Sequence, residues 1–210
     1  MKLAVFFHVY LPDLDPCLPI LAEQVDALEA SGLVDAAWLQ VGACGEAAAE
    51  PLLNCWFGGR VKFSPENTGE YHTLRLLQQW LPGHRDWQVC YHHTKGISHK
   101  NDAYGSWRRC MQKNVIEEWK LCVELLERGA DTVGCHWLSS DRYPVIPARQ
   151  RYWGGNFWWA TARHLLSLPP LPEPNRPDGR YYDGEVWIGQ TDRPIQVRDL
   201  APHWPQKGCG

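Results

Sequence analysis

Tyr91-His92-His93-Thr94-Lys95-Gly96 sets two imidazoles, two hydroxyls, an ammonium and a glycine in six consecutive residues. They follow Trp87-Gln88-Val89-Cys90, a short apolar run of the kind that forms a buried strand. At the carboxyl edge of an open α/β sheet the loops diverge and leave a crevice, which is where ligands bind. A lysine beside a glycine-containing turn suits a diphosphate there, as a point charge next to exposed backbone N–H groups. A polar loop without a ligand is the other reading of the same residues.

The elements that would position this stretch alternate between strand-like and helix-like patterns, the signature of βαβ units and a largely parallel sheet. Leu3 to Tyr10 reads as a compact apolar strand, broken by Pro12-Asp13-Leu14-Asp15-Pro16. Leu18 to Ala30 repeats apolar residues at helical spacing (Leu21, Val25, Leu28) and stops at Ser31-Gly32. Ala36 to Val41 and Val61 to Phe63 read as strands two and three. Tyr71 to Leu81 reads as a helix after the Pro65-Glu66-Asn67-Thr68-Gly69 turn. Trp87 to Tyr91 is strand four, and the site loop runs from His92 to about Tyr104. One long helix is expected from Ser106 to about Arg128, and a strand opens at Asp131. Beyond it lie a Gly154-Gly155 hinge into an aromatic strand, a short helix from Thr161 to Leu168, and a proline-rich loop from Pro169.

Composition sets the outer limits. A length of 210 residues suits one sizeable domain, and 44% hydrophobic with 21% charged residues excludes a largely disordered chain. A net charge near −3 without a run of like charges leaves no footprint for non-specific nucleic-acid binding. The eight cysteines contain no CxxC pair and sit mostly inside apolar runs, so reduced, buried thiols are expected. The amino terminus is interrupted too soon by His8 for a signal peptide, and no run approaches the roughly 20 apolar residues of a membrane span. A soluble protein of the cytoplasm, or of a host cytoplasm if viral, is the expectation. The 12 tryptophans exceed what a core of this size needs. Filling the core and its rim accounts for most of them, although such rings also stack on sugars and bases.

Taken in order, His8-Val9-Tyr10, Ser31-Gly32-Leu33-Val34-Asp35, Glu66-Asn67, His93-Thr94-Lys95-Gly96, Gly155-Asn156-Phe157-Trp158-Trp159-Ala160 and Glu185-Val186-Trp187-Ile188 resemble bacterial and viral glycosyltransferase-like proteins of GT-A architecture with an HTKG motif. The resemblance covers nearly the whole chain. It implies an α/β fold: a single GT-A-like, Rossmann-like domain over 1–210 whose mostly parallel central sheet is flanked by helices. A nucleotide-binding half would span 1–105 and a half for acceptor and donor sugar 106–210. It implies transfer of a sugar from a nucleoside diphosphate, UDP-sugar among the candidates, to a hydroxyl on a glycan, a protein or a modified nucleobase. Direct displacement with inversion is expected, since no second nucleophile is evident. The compact length suggests a homo-oligomer or a partner for acceptor recognition.

The same resemblance distributes roles. Glu185 would be the base on the acceptor side, opening a helix, with Asp183 as its alternate. His93, Thr94, Lys95 and Gly96 would meet the diphosphate, while Gly155, Asn156 and Trp158 would meet the donor sugar, Asn156 through its amide. Alternation along the strand would send one of Trp158 and Trp159 inward and the other toward the site. Tyr10 and Asn67 would contact the nucleotide, with His8 beside them, although a histidine there is more often an interior residue. Most GT-A enzymes carry an Asp-x-Asp pair at the end of strand four to hold a metal, and this chain has His92-His93-Thr94-Lys95 instead. Either Lys95 neutralises the phosphates directly, or His93 and a remote carboxylate such as Asp141 hold Mn²⁺ or Mg²⁺. Two other classes stand beside this reading: a metal-dependent nuclease built on His92, His93, His99, Asn101 and Asp102, and a non-catalytic nucleotide-sugar-binding module.

Overall fold

The computed structural model describes residues 1–94, 102–139, 151–171 and 182–202, with the backbone alone at 102–104, 182 and 183. Strand β1 (Lys2–Leu11) is followed by helices α1 (Leu14–Ala30) and α2 (Leu33–Ala36), strand β2 (Trp38–Gly45), helix α3 (Ala49–Phe57), strand β3 (Val61–Ser64), helix α4 (Tyr71–Trp80) and strand β4 (Trp87–His93). Helix α5 (Asp102–Gln112) runs through a π turn (Lys113–Glu117) into α6 (Trp119–Glu127). Strands β5 (Thr132–Gly134), β6 (Trp137–Ser139), β7 (Arg151–Trp153) and β8 (Trp158–Thr161), helices α7 (Ala162–Leu165) and α8 (Tyr182–Val186), and strand β9 (Val197–Asp199) complete the order.

Seven strands form one sheet in the order β3-β2-β1-β4-β8-β5-β9, and β6 pairs with β7 in a separate antiparallel ribbon. Strand β1 is parallel to both β2 and β4, β2 to β3, and β5 to β9, whereas β8 runs antiparallel to β4 and β5. The chain is therefore an α/β protein with a mostly parallel sheet and helices on both faces.

Strand β1 is apolar on both sides because it is an interior strand of that sheet, covered by helices on both faces. Leu3, Val5, Phe7, Val9 and Leu11 face one core with Leu21 and Leu28 of α1 and Met111 of α5, and Ala4 and Phe6 face another with Tyr71, Leu74 and Leu77 of α4. The alternation is the strand period of two. It also sends His8 and Tyr10 toward α4.

Several elements differ from expectation. Helix α1 begins at Leu14, because Pro16 falls in the first turn, where a missing N–H leaves no intrahelical bond unmade. Helix α3 occupies a stretch where no element was expected, with Ala49, Leu53 and Phe57 buried at a spacing of four. Strand β4 runs to His93, so both histidines lie in the strand rather than in a loop. The long helix starts at Asp102 and is interrupted by the π turn. Cys17, Cys44, Cys90, Cys122 and Cys135 are buried free thiols. Cys110 departs from the expected reduced state, being disulfide-bonded. Among the described residues no helix is long and apolar enough to cross a membrane.

Candidate functional site

The carboxyl ends of β1 and β4 lie side by side, with His8 opposite His93. Thr94 extends this pairing past the strand. Its N–H donates to the His8 carbonyl at 3.0 Å, and its Oγ1 accepts from the Tyr10 N–H at 2.9 Å. From the α1 side, Gln24 Nε2 donates to the His93 carbonyl at 3.0 Å. The backbone of the expected diphosphate stretch is thus held on both sides as far as Thr94.

On the α4 face, Tyr91 and His93 meet Glu70, which stands at the N-cap position of α4 without a side-chain bond to the helix's own N–H groups. Tyr91 donates its phenol to Glu70 Oε2 at 2.9 Å, and the Asn156 amide donates to the same oxygen at 2.5 Å. His93 Nδ1 stands 3.6 Å from Glu70 Oε1, and His93 Nε2 lies 2.8 Å from the Gly155 carbonyl, to which it donates. Trp158 closes the ring: its indole N–H donates to Asn156 Oδ1 at 2.7 Å, and its face stacks on Tyr91 with centroids 5.2 Å apart. One carboxylate therefore gathers β4, α4 and the turn before β8.

Asn156 and Gly155 are shaped for these bonds. Asn156 takes a left-handed φ of 55°, which asparagine tolerates better than most residues, and is fully buried. Gly155 has φ 82°, and a Cβ there would come within 2.6 Å of Met111 Sδ. Burial above all, and then the charge of Glu70 and its hydrogen bond, push the Tyr91 phenol well above its ordinary value. The charge of Glu185 contributes in the same direction, which sets that carboxylate within electrostatic reach of Tyr91. Tyr91 is accordingly a fixed proton donor at neutral pH.

The other expected site residues fall in three groups. His93, Thr94, Gly155, Asn156 and Trp158 come together as described, but Asn156 and Trp158 are fully buried. The Asn156 amide is engaged by Glu70 and Trp158, so the pair positions the cluster instead of presenting itself to a sugar. Trp159 points to the opposite face, where its N–H donates to the Val115 carbonyl, as strand alternation required. Tyr10, Asn67 and His8 lie on the β1 side. Asn67 Nδ2 donates to the Tyr10 hydroxyl at 3.2 Å. His8 is an interior residue: the Thr73 hydroxyl donates to the Gly42 carbonyl, so His8 Nδ1 donates to Thr73 Oγ1 at 2.8 Å, and burial lowers the His8 pKa well below the usual range. Glu185 stands near the end of the five-residue α8 and does not open it. Lys95, Gly96 and Asp141 lie outside the described residues, as does the side chain of Asp183.

A divalent ion does not fit the donors on view. His93 turns Nε2–H to Gly155 and Nδ1 to Glu70, and among the described residues no three His, Cys, Asp or Glu side chains converge. Glu70 is the member that sequence reasoning missed, and Tyr91, singled out within the stretch at the end of strand four, was given no role there. A carboxylate at a helix start is common for dipole reasons alone, and only its place beside the Glu66-Asn67-Thr68-Gly69 turn hinted at more.

Fold and cluster together define an α/β protein of Rossmann-like build, with a hydrogen-bonded polar cluster at the carboxyl edge of its parallel strands. No protein-family model and no curated protein matches the chain. Among solved structures it is similar to a 4-diphosphocytidyl-2C-methyl-D-erythritol synthase from Anaerococcus prevotii at 10% identity and TM-score 0.47, covering 97% of this chain and 90% of that one. A mycobacterial protein is similar at 18% identity and TM-score 0.45, covering 82% of this chain and 57% of its own length. A second 4-diphosphocytidyl-2C-methyl-D-erythritol synthase is similar at 12% identity and TM-score 0.41, covering 98% and 94%. With TM-scores below 0.5, these likenesses carry no argument about activity.

Proposed function

We propose that the chain is a GT-A-like glycosyltransferase that moves a sugar from a nucleoside diphosphate to an acceptor hydroxyl. The observation that carries this reading is the convergence of the Glu70–Tyr91–His93–Asn156 cluster at the carboxyl ends of β1 and β4, with Glu185 within electrostatic reach of Tyr91; in the sequence, His93 stands two residues before Lys95. Such an edge is where an open α/β sheet receives its ligand.

In this mechanism Glu185 takes the proton of the acceptor hydroxyl as its oxygen attacks the anomeric carbon, with Asp183 as the alternate base. The bond from that carbon to the diphosphate breaks, and the nucleoside diphosphate leaves with the electron pair. Lys95 counters the charge that develops on it. One displacement inverts the anomeric carbon. Glu70 holds His93 and Tyr91 in place, and Thr94 fixes the end of β4 against β1. Tyr10 and Asn67 border the nucleotide. No step is routed through a metal ion, because His93 has both nitrogens directed at protein groups.

The test is calorimetric titration of UDP-, GDP-, CMP- and TDP-sugars, with and without manganese, into wild type, Lys95→Ala and Glu185→Gln, together with chromatographic assay of donor consumption. One donor is expected to bind, at least about tenfold more weakly to Lys95→Ala. Glu185→Gln is expected to keep donor binding and lose turnover by a factor of about 100 or more. Binding by none of the donors overturns the proposal. Binding without turnover in wild type replaces it with the non-catalytic module.

A further inference from the structure

A cleft of about 470 Å³ opens between α1 and the π turn, on the face of the sheet opposite the one that carries Glu70. Its walls carry three carboxylates, Glu23 and Asp26 from α1 and Glu117 from the π turn. Arg108 answers Glu23, with Nη2 and Nε at 2.8 and 3.3 Å from its two oxygens. Asp26 and Glu117 have no ion pair among the described residues, so the cleft keeps an excess of negative charge.

Acidic residues alone would describe a solvated surface, but Gln112 adds an independent observation. It lines the cleft at only 7% exposure. Its Nε2 donates to Glu117 Oε1 at 3.4 Å, an orientation the carboxylate imposes because it can only accept. The Gln112 carbonyl oxygen is left buried without a partner. A buried acceptor in that state loses its bond to water without replacing it and calls for an explanation. The backbone is also shaped for this pair. Residues five apart on an α-helix point about 140° away from each other, so Gln112 and Glu117 would not meet on one. The π turn, closed by the Glu118 N–H to Lys113 carbonyl bond at 3.0 Å, returns them to one face. Single π turns inside α-helices occur frequently at functional sites.

We propose that this cleft binds a guanidinium-bearing ligand, which donates to the Gln112 carbonyl and to the Asp26 and Glu117 carboxylates. The Asp26 and Glu117 carboxylates and the Gln112 carbonyl oxygen can only accept, and a guanidinium is a planar fork of five donors with no acceptor of its own. Ala27 and Ala30, one turn apart on α1, provide a small-residue floor for its plane or its alkyl stem. A metal ion does not suit the same walls, since no three ligating side chains converge among the described residues.

Calorimetric titration of the full chain with N-acetyl-arginine amide, with N-acetyl-lysine amide, and with a pentapeptide carrying one central arginine between alanines tests this. Saturable one-to-one binding of the arginine probe is expected, weakened about tenfold by Asp26→Asn and by Gln112→Leu, and about tenfold weaker for the lysine probe. Asp26 is exposed, so its variant keeps the test valid should Gln112→Leu fail to fold. Equal affinity for the amide and the pentapeptide assigns the site to a free small molecule, and tighter binding of the pentapeptide assigns it to an arginine on another protein. Absence of saturable binding to tens of millimolar, affinity unchanged in Asp26→Asn, or equal binding of the lysine probe overturns the proposal.

Discussion

His92 and His93 are neighbours on one strand, yet they occupy opposite environments. His93 faces α4, with Nε2 on the Gly155 carbonyl and Nδ1 turned to Glu70. His92 faces the α1 side, stacked on Phe7 with centroids 4.1 Å apart and meeting Phe157 edge-on, and neither of its ring nitrogens has a partner. Burial accordingly lowers the His92 pKa to about 3. The strand period assigns the two rings to different faces, and what lies over each face decides their chemistry. A polar cluster makes one imidazole a positioned group, and an apolar core makes the other a neutral packing element.

The largest expected effect is an acid dependence carried by His92. Its folded-state pKa of about 3 lies below the ordinary 6.5, so the unfolded chain takes up a proton through this window while the folded chain does not. Stability therefore falls as pH drops from about 6.5 to about 3, by on the order of 4 kcal/mol for this group. His8, His136 and His164, also lowered chiefly by burial, add to the fall in the same direction. Urea midpoints between pH 7.5 and 4 should thus decline less steeply in His92→Phe than in wild type. Identical slopes would break the contrast between the two rings.

Glu70→Ala should follow in size. It strands the Tyr91 hydroxyl and the Asn156 amide in buried positions, at a cost of about 3 kcal/mol in urea unfolding at neutral pH. Glu70→Gln, which keeps one accepting oxygen, should lose less. If both variants unfold like wild type, Glu70 does not organise the cluster.

The smallest effect sharpens the comparison at pH 7.5. His92→Phe keeps the aromatic stack and removes two unpartnered nitrogens, so it should stabilise the chain by about 1 kcal/mol. His93→Phe should destabilise it by about 2 kcal/mol, because the buried Gly155 carbonyl loses its donor. Two changes of the same kind one residue apart should differ in sign.

The pattern of elements was legible because it is local. Apolar runs and helical spacings located β1, β3, β4, α4 and most of α1, and the strand alternation correctly required Trp158 and Trp159 to diverge. The stretch at the exit of β4 was also recognisable by residue type alone. Other features were not legible for equally physical reasons. Glu70 carries no motif, and its role exists only because α4 brings its first turn beside Tyr91 and His93. The Asn156 amide reads in the sequence as available to a ligand, but the indole of Trp158 and the Glu70 carboxylate engage it.

By itself the sequence determined the strand and helix periodicities and which residue types collect at the end of β4, since these depend on neighbours along the chain. Tertiary structure alone decided that β8 is the reversed strand and that a π turn interrupts the long helix. It also decided which of two adjacent histidines would find a carboxylate. Each of these depends on groups far apart in the chain meeting in space, with burial setting the energy of the meeting, and residue order alone does not encode that proximity in any short window.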